Sequence, residues 1–111
     1  MTTISINSGV TTAINTFTVG PEHQQKVVEL LSAAVDLLAT NQAGFISESI
    51  HRSMDGKRVL NYVQWGSKKD FESVFGNTGF MKLYAEMKAI STPEPLLYEV
   101  VHSAIGTVPS T

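Results

Sequence analysis

Hydrophobic and polar positions along this chain follow two periods, one typical of strands and one typical of helices. Alternating, β-branched residues predict a first strand over residues 13–19. Apolar residues then recur at steps of three and four, which predicts an amphipathic helix over residues 21–40. Alternation returns over residues 45–53 and 58–65, and these segments are predicted to form the second and third strands.

The second half of the chain predicts two further helices and a fourth strand. Ser67 and Asp70 form a capping box that begins a short helix, and another helix follows the break at residues 76–79. Pro93 and Pro95 are predicted to end that helix, with the fourth strand over residues 96–103. The short helix is predicted to turn Phe71, Val74 and Phe75 inward. The large apolar and aromatic side chains of the following helix are Phe80, Met81, Leu83, Tyr84 and Met87.

The predicted order β-α-β-β-α-β indicates the ferredoxin-like α+β class, with four antiparallel strands and helices on one face. The opposite face would leave Phe45, Leu60 and Tyr62 in water, which is unfavourable for an apolar patch. Two sheets packed face to face would cover it, so we expect a homodimer. The domain is predicted over residues 13–105, between flexible tails at residues 1–12 and 106–111.

Composition narrows the classes of function. Of the 111 residues, 42% are hydrophobic and 16% charged, and the formal net charge is −2. In an average globular protein about a quarter of the residues are charged, so the surface of this chain is poor in charge. A second subunit that covers part of the surface would account for this. The chain has no excess of basic residues, so its charge gives no sign of nucleic-acid binding. No apolar run reaches the length of a membrane span. The absence of cysteine excludes disulfides and thiolate chemistry. The first residues lack the pattern of a secretory signal, so we expect a cytoplasmic protein.

The Asp55-Gly56 pair predicts a hairpin, because this dipeptide tolerates the positive φ angles of a tight turn. A two-residue loop and a four-residue loop closed by Ser53 and Arg58 give the same pairing, and paired residues share a face. The more apolar face, assigned to the helix side, holds Ile46, Glu48, Ile50, Arg52, Val59, Asn61, Val63 and Trp65. The other face holds Phe45, Ser47, Ser49, His51, Leu60, Tyr62 and Gln64.

Asn61 is the unexpected residue on the apolar face. A buried asparagine between Val59 and Val63 must find hydrogen-bond partners or cost about 1–3 kcal/mol. One interpretation is a structural amide bonded to the main chain, with Trp65 as a core anchor. The other is a pocket between the sheet and the helices, whose few polar groups are the Asn61 amide and the Trp65 indole N–H.

These residues resemble a known family. The string Val59-Leu60-Asn61-Tyr62-Val63-Gln64-Trp65, with Gly44-Phe45, His51-Arg52-Ser53 and Asp55-Gly56 upstream, is similar to the antibiotic biosynthesis monooxygenases. The similarity covers residues 14–103. The Asn-x-x-x-Trp spacing particularly resembles the cofactor-free members that oxidise aromatic polyketide intermediates.

The resemblance implies a dimeric α+β barrel and a monooxygenase that uses no flavin, haem or metal. An anthrone- or quinol-type substrate has an acidic C–H, and its enolate can pass an electron to O2. The protein then has to bind a flat polycycle, stabilise the enolate oxygen and exclude water. The resemblance assigns Asn61 and Trp65 as hydrogen-bond donors to that oxygen, and Trp65, Phe71 and Phe80 as apolar walls.

The sequence departs from the family at three positions. Phe71 stands where the best-understood members carry a tyrosine, and Phe cannot donate a hydrogen bond or relay a proton. The substrate-binding arginine of some members has no clear counterpart, with Lys82 and Lys88 as the nearest cations. Ile50 stands beside Asn61 where an aromatic residue is expected. The alternative is therefore a non-catalytic ligand-binding or structural dimer on the same fold.

Sister enzymes on this fold degrade haem with an asparagine on the first strand, a tryptophan on the third and an axial histidine on the last helix. Asn15 and Trp65 match the first two, but the last helix contains no histidine, and its polar residue on the pocket side is Tyr84. We therefore do not expect haem degradation. The substrate-binding candidates are Asn15, Ile50, Phe71, Phe80 and Tyr84.

The sequence gives little support for a metal site, a nucleophilic triad or a phosphate-binding loop. His51 and His102 are placed on the second and fourth strands, at opposite edges of the sheet, so they cannot share a metal within one subunit. His23 is expected to be exposed. Glu48 and Arg52 are predicted to form a salt bridge on the edge strand. There is no Ser-His-Asp order, nucleophile elbow or glycine-rich phosphate loop.

Overall fold

The computed structural model describes residues 3–6 and 9–107. The predicted tails at residues 1–12 and 106–111 include residues 1–2, 7–8 and 108–111, which lie outside the described residues. The elements are, in order, β1 Thr11–Val19, α1 Gln24–Asn41, β2 Phe45–Arg52, β3 Arg58–Trp65, α2 Lys68–Glu72, a 3-10 turn Ser73–Gly76, α3 Thr78–Ile90 and β4 Ser91–Tyr98.

The four strands form one antiparallel sheet in the order β2-β3-β1-β4. Helices α1 and α3 pack side by side against one face, and the core lies between them and the sheet. The predicted ferredoxin-like α+β class is confirmed. The largest fully buried side chains of this core are Phe17, Val27, Leu31, Val59, Trp65 and Met87.

Helix α1 begins later than the sequence predicted. The His23 N–H donates to the Gly20 carbonyl at 3.0 Å, so residues 20–23 form a turn and the helix starts at Gln24. Gln24 is buried, and its Nε2 donates to the carbonyls of Ser53 and Arg58 at 3.0 Å each. A buried amide with two acceptors is satisfied, and it fixes the start of α1 to the base of the hairpin.

The β2–β3 hairpin closes through the four-residue loop, with the Ser53 N–H donating to the Arg58 carbonyl at 3.0 Å. Gly56 has φ +79°, the left-handed region that glycine adopts without a steric cost. Asp55 accepts hydrogen bonds from the Ser53 hydroxyl at 2.7 Å and the Lys57 N–H at 3.0 Å. These two bonds, the Ser53 bond foremost, hold the pKa of the Asp55 carboxyl below its ordinary value.

A β-bulge interrupts the hairpin pairing at its open end. From Ser47 to Arg52 the pairing is as predicted, but Phe45 pairs with Trp65 and leaves Ile46 as the extra residue. The predicted faces of Phe45 and Ile46 are therefore wrong, because one extra residue exchanges the faces beyond it. Phe45 packs edge-on against Trp65 with ring centroids 5.6 Å apart, whereas Ile46 is 51% exposed.

Strand β4 lies five residues earlier than predicted. It begins at Ser91, directly after α3, and Pro93 and Pro95 lie inside it, paired with Phe17 and Asn15 of β1. The prediction that these prolines separate the helix from the strand is wrong. An edge strand needs only alternate N–H groups for its single neighbour. The two-residue spacing allows the nitrogen atoms of both prolines to point away from β1, where no N–H is needed.

The face of the sheet turned away from the helices keeps apolar side chains in reach of water. This outer face includes Ile14, Leu60 and Tyr62, which are partly buried, together with Leu96 at 57% and Tyr98 at 47% exposure. Residue Thr3 lies near the end of β3, where the Thr3 carbonyl accepts a hydrogen bond from Gln64 Nε2. The expected surface for a second subunit is thus present, and dimerisation stays a prediction.

Candidate active site

A cavity lies between the helix-side face of the sheet and the helices. The cavity itself measures about 50 Å³, and the empty space out to its open mouth about 480 Å³. The strands supply its floor and the helices with the 3-10 turn supply its walls. The lining residues are Ala13, Ile14, Asn15, Leu38, Asn61, Val63, Trp65, Phe71, Val74, Phe75, Phe80, Tyr84 and Pro95.

Most of the candidate site residues from the sequence come together on this cavity. Those that line it are Asn15, Asn61, Trp65, Phe71, Phe80 and Tyr84. Ile50 does not line it. Ile50 is the β2 partner of Asn61, as the hairpin register predicted, and it packs as a partly buried side chain against the core.

Two asparagines lie side by side on the cavity floor. Asn15 and Asn61 are direct partners across β1 and β3, on the face toward the helices. Asn61 is only 8% exposed. Within residues 3–6 and 9–107, neither side-chain Oδ1 finds a hydrogen-bond partner, although both atoms are buried. An unpaired buried acceptor costs about 1–3 kcal/mol, so these oxygens favour a ligand as the missing partner over a structural role.

Aromatic rings form one wall of the cavity. Trp65, at 2% exposure, packs edge-on against Phe71 with ring centroids 6.4 Å apart, and Phe71 packs edge-on against Phe75 at 5.6 Å. Phe75 is 49% exposed, so the prediction that it faces inward is wrong. The helix tightens to a 3-10 turn after Glu72, which buries Val74 and leaves Phe75 at the mouth.

The opposite wall is built from α3. Phe80 and Tyr84 are one helical turn apart, which brings their rings onto the same side of the helix. Their ring centroids are 5.7 Å apart with an interplanar angle of 18°, a stacked pair. The Tyr84 hydroxyl accepts a hydrogen bond from Asn15 Nδ2 at 3.3 Å, so it joins the sheet to the helix across the cavity.

Glu48 is a partly buried carboxyl on the helix side of β2, outside the cavity lining. Burial raises the pKa of Glu48 from 4.5 to about 7, and the negative charge of Asp36 on α1 adds to the shift. The predicted salt bridge with Arg52 is wrong, because the Arg52 guanidinium donates instead to Gln25 Oε1 at 2.7 Å. The described part of the chain offers no partner for Glu48 Oε2.

The histidines do not gather at one place. His51 belongs to the outer face of β2, with its Nε2 2.9 Å from the Ser49 hydroxyl. His102 lies beyond the end of β4, and its predicted position on that strand is wrong because the strand ends at Tyr98. His23 precedes α1 with its side chain 47% exposed. Within the described ranges, no three His, Asp or Glu side chains cluster as a metal site would require.

Seven lining residues were not among the site candidates from the sequence: Ala13, Ile14, Leu38, Val63, Val74, Phe75 and Pro95. Leu38 belongs to the apolar stripe of α1 and carries no sign that separates it from the other core positions. Pro95 lines the cavity from β4, and the two-residue spacing of Pro93 and Pro95 was the available signal for an edge strand. None of the helices among the described residues has the length and apolar character that a membrane span needs.

Comparisons with known proteins agree on one family. The family model for antibiotic biosynthesis monooxygenase matches residues 11–89. The tetracenomycin-F1 monooxygenase of Streptomyces glaucescens is 34% identical over 109 residues, which span 98% of this chain and 97% of that protein.

Solved structures show the same fold. A monooxygenase from the gene ActVA-Orf6 of Streptomyces coelicolor, in complex with the ligand nanaomycin D, is 28% identical, with a TM-score of 0.73 over 87% of this chain and 92% of that one. SnoaB, a cofactor-independent oxygenase of Streptomyces nogalater, is 24% identical, with a TM-score of 0.70 over 91% and 98% of the two chains.

Proposed function

Because this chain belongs to the antibiotic biosynthesis monooxygenase family, we propose that it is a cofactor-independent monooxygenase that oxidises an anthrone- or quinol-type aromatic compound with O2. The observation that carries this proposal is that the buried Asn61 amide and Trp65 line the same aromatic-walled cavity. Few polar groups and flat apolar walls are what a neutral polycycle requires of a binding site.

Substrate binding uses the two aromatic walls. Trp65 and Phe71 form one side and Phe80 with Tyr84 the other, so a flat ring system packs between them. A cavity of about 150 Å³ holds benzene, whereas the cavity here measures about 50 Å³. Most of a substrate of three fused rings therefore lies in the open mouth. The half-exposed Phe75 at that mouth has to move aside.

The reaction draws its electrons from the substrate. Loss of the acidic C–H proton to water gives an enolate, which passes an electron to O2, and recombination forms a C–O bond. The peroxide formed in this way takes up a proton from water and becomes a hydroperoxide. Loss of water from the resulting hydroperoxide leaves a carbonyl. Overall the carbon loses two hydrogens and gains one oxygen atom, and the second oxygen atom departs as water.

Asn61 and Trp65 stabilise the negative charge that develops on the enolate oxygen. The Asn61 side chain carries two N–H donors and the Trp65 indole one, and both line the same cavity. Donors fixed in a site that excludes water stabilise such a charge far more than donors in water do. Both side chains are held by strand β3, so the folded sheet orients them before substrate binds.

A homodimer is part of this proposal. In a monomer the outer face leaves Leu96 and Tyr98 about half exposed beside the apolar Ile14, Leu60 and Tyr62. Packing two outer faces together removes this surface from water. The low charge of the chain supports the same arrangement.

The proposal is tested by O2 consumption with dithranol, an anthrone. We expect turnover by the wild type and a loss of about 10²–10³-fold in Asn61→Ala, the usual effect of removing one donor of an oxyanion site. The exposed Asn41 provides the matched control, since Asn41→Ala removes the same amide outside the cavity. Equal turnover by wild type and Asn61→Ala would contradict the assigned role of Asn61.

A non-catalytic ligand-binding protein is the second candidate, and Phe71 is the residue that favours it. Phe71 places no hydroxyl in the cavity, so this wall moves no proton. Quenching of Trp65 fluorescence by an anthrone, with O2 uptake no faster than in buffer, would show this second function and reject the first.

A further inference from the structure

Tyr84 is held rigidly on the cavity wall. It lies in the middle of α3 and is 8% exposed. Its ring stacks on Phe80 and meets Phe17 edge-on, with centroids 6.3 Å apart at 75°. The ammonium of Lys88, one turn further along the helix, lies 5.2 Å from the Tyr84 ring centroid. Packing on several sides leaves the hydroxyl one position, against the cavity floor.

The hydrogen bond that the Tyr84 hydroxyl accepts leaves the hydroxyl proton free to be donated. Asn15 Nδ2 donates to the hydroxyl oxygen at 3.3 Å, so the oxygen is the acceptor of this bond. A tyrosine hydroxyl that accepts one bond still has its O–H to donate. Across the described residues no acceptor is recorded for that O–H.

Tyr84 is also distinct among the lining residues in its chemistry. Of the described side chains that line the cavity, only Tyr84 can lose and regain a proton. Asn61 and Trp65 donate hydrogen bonds but do not transfer protons at neutral pH. A reaction in this cavity that moves protons therefore has one side chain available for the purpose.

We propose that Tyr84 is the catalytic residue that transfers the proton in the last step of the reaction, the loss of water from the hydroperoxide; this inference rests on the proposed function. The C–H bond at the oxidised carbon breaks and its electron pair forms the second bond of the carbonyl. The O–O bond breaks, and the departing hydroxide takes the Tyr84 proton and leaves as water. The phenolate of Tyr84 then accepts the proton released from the carbon, which restores the resting enzyme.

Asn15 is the positioning residue for this step. Its amide holds the Tyr84 oxygen from the floor of the sheet, and the Asn15 backbone is fixed by pairing with both Asn61 and Pro95. A hydroxyl anchored through its oxygen keeps its proton directed toward the ligand, which is the geometric requirement for proton transfer.

The test compares wild type, Tyr84→Phe and Tyr98→Phe with dithranol, following O2 uptake with an electrode and quinone by absorbance in the same samples. The wild type should form one quinone for each O2 consumed. In Tyr84→Phe we expect quinone formation to fall at least about tenfold while O2 uptake stays within about threefold, since general acid–base catalysis contributes about 10²–10⁴-fold to the step it serves. Mass spectrometry should recover the missing product as hydroperoxide. Tyr98→Phe deletes the same hydroxyl on the outer face and should behave as wild type.

Quinone formation by Tyr84→Phe at the wild-type rate overturns the inference, and so does an equal fall in O2 uptake and quinone, which would assign Tyr84 to binding. Absence of O2 uptake by the wild type instead rejects the proposed function, and this inference with it. Should Tyr84→Phe fail to fold, Asn15→Ala decides. Its quinone yield per O2 should fall, whereas a merely structural role would leave that yield at one.

Discussion

Among residues 3–6 and 9–107, three buried side-chain oxygen atoms lack a hydrogen-bond partner, and they mark where single residues work against stability. Two belong to Asn15 and Asn61 on the cavity floor, and the third is Oε2 of Glu48. Each costs free energy that an apolar side chain of similar size would not. The two asparagines face a cavity where a ligand can compensate, but Glu48 lies outside the lining and instead holds its proton more tightly.

Glu48 makes the stability of the protein depend on pH. Its pKa of about 7 in the folded protein lies above its ordinary value of 4.5. Between these two values the folded chain binds a proton that the unfolded chain has lost, so stability falls as the pH rises from 4.5 to 7. Glu48→Gln removes this dependence. Because water partly screens the carboxyl, we expect a gain of about 1 kcal/mol at pH 8 and no gain at pH 4.5.

Urea unfolding at the two pH values measures this gain. The exposed Glu29 on α1 serves as the control, because Glu29→Gln makes the same substitution at a position surrounded by solvent. A Glu48→Gln effect that does not vary with pH would contradict the raised pKa.

Among the elements, the junction between α1 and β2 positions the aromatic wall. Gly44 has φ +81°, and its carbonyl accepts a hydrogen bond from the Gly66 N–H at 2.8 Å. A Cβ at this position would overlap the Asp70 carboxyl at the start of α2. The same short stretch begins the bulge that turns Phe45 toward Trp65, so a left-handed residue here allows Phe45 to pack against the Trp65 ring of the wall.

We therefore expect Gly44→Ala to destabilise the fold by at least about 1–2 kcal/mol, the cost of a left-handed backbone at a residue with a Cβ, with the Asp70 overlap in addition. Gly76→Ala is the control, since a Cβ there meets no atom within 4 Å and its φ is not positive. Denaturant midpoints measure both. A Gly44→Ala midpoint equal to that of Gly76→Ala would show that the junction relaxes without cost.

At the scale of the whole molecule, the outer face of the sheet determines whether the protein is a monomer or a dimer. Leu96 is 57% exposed at the centre of the β1–β4 pairing, opposite Ile14. A lysine there places a charge within the proposed interface, where it loses its hydration. We expect Leu96→Lys to halve the particle mass measured by light scattering at micromolar concentration.

The control for this prediction is Met54→Lys, because Met54 is fully exposed in the hairpin loop and away from the outer face. It should leave the mass of the wild type unchanged. A wild type that scatters as a single chain would reject the dimer, and an unaltered mass for Leu96→Lys would place the interface elsewhere.

Local patterns were sufficient for much of this molecule. The alternation over Arg58–Trp65 determined the bounds of β3, and its parity placed Asn61 and Trp65 on the helix side. The Asp55-Gly56 turn determined the pairing of Ile50 with Asn61. These features depend on spacing between neighbouring residues, so they are readable along the chain.

The tertiary structure alone decided the rest. The bulge at Ile46 depends on how Phe45 packs against Trp65, and the position of β4 depends on β1 offering a single neighbour at the sheet edge. The meeting of Asn15 with Tyr84, sixty-nine residues apart, depends on both the sheet order and the packing of α3. A one-dimensional pattern records which face a residue occupies, but the gap left between packed faces, and the unpartnered oxygens within it, arise only when those faces meet.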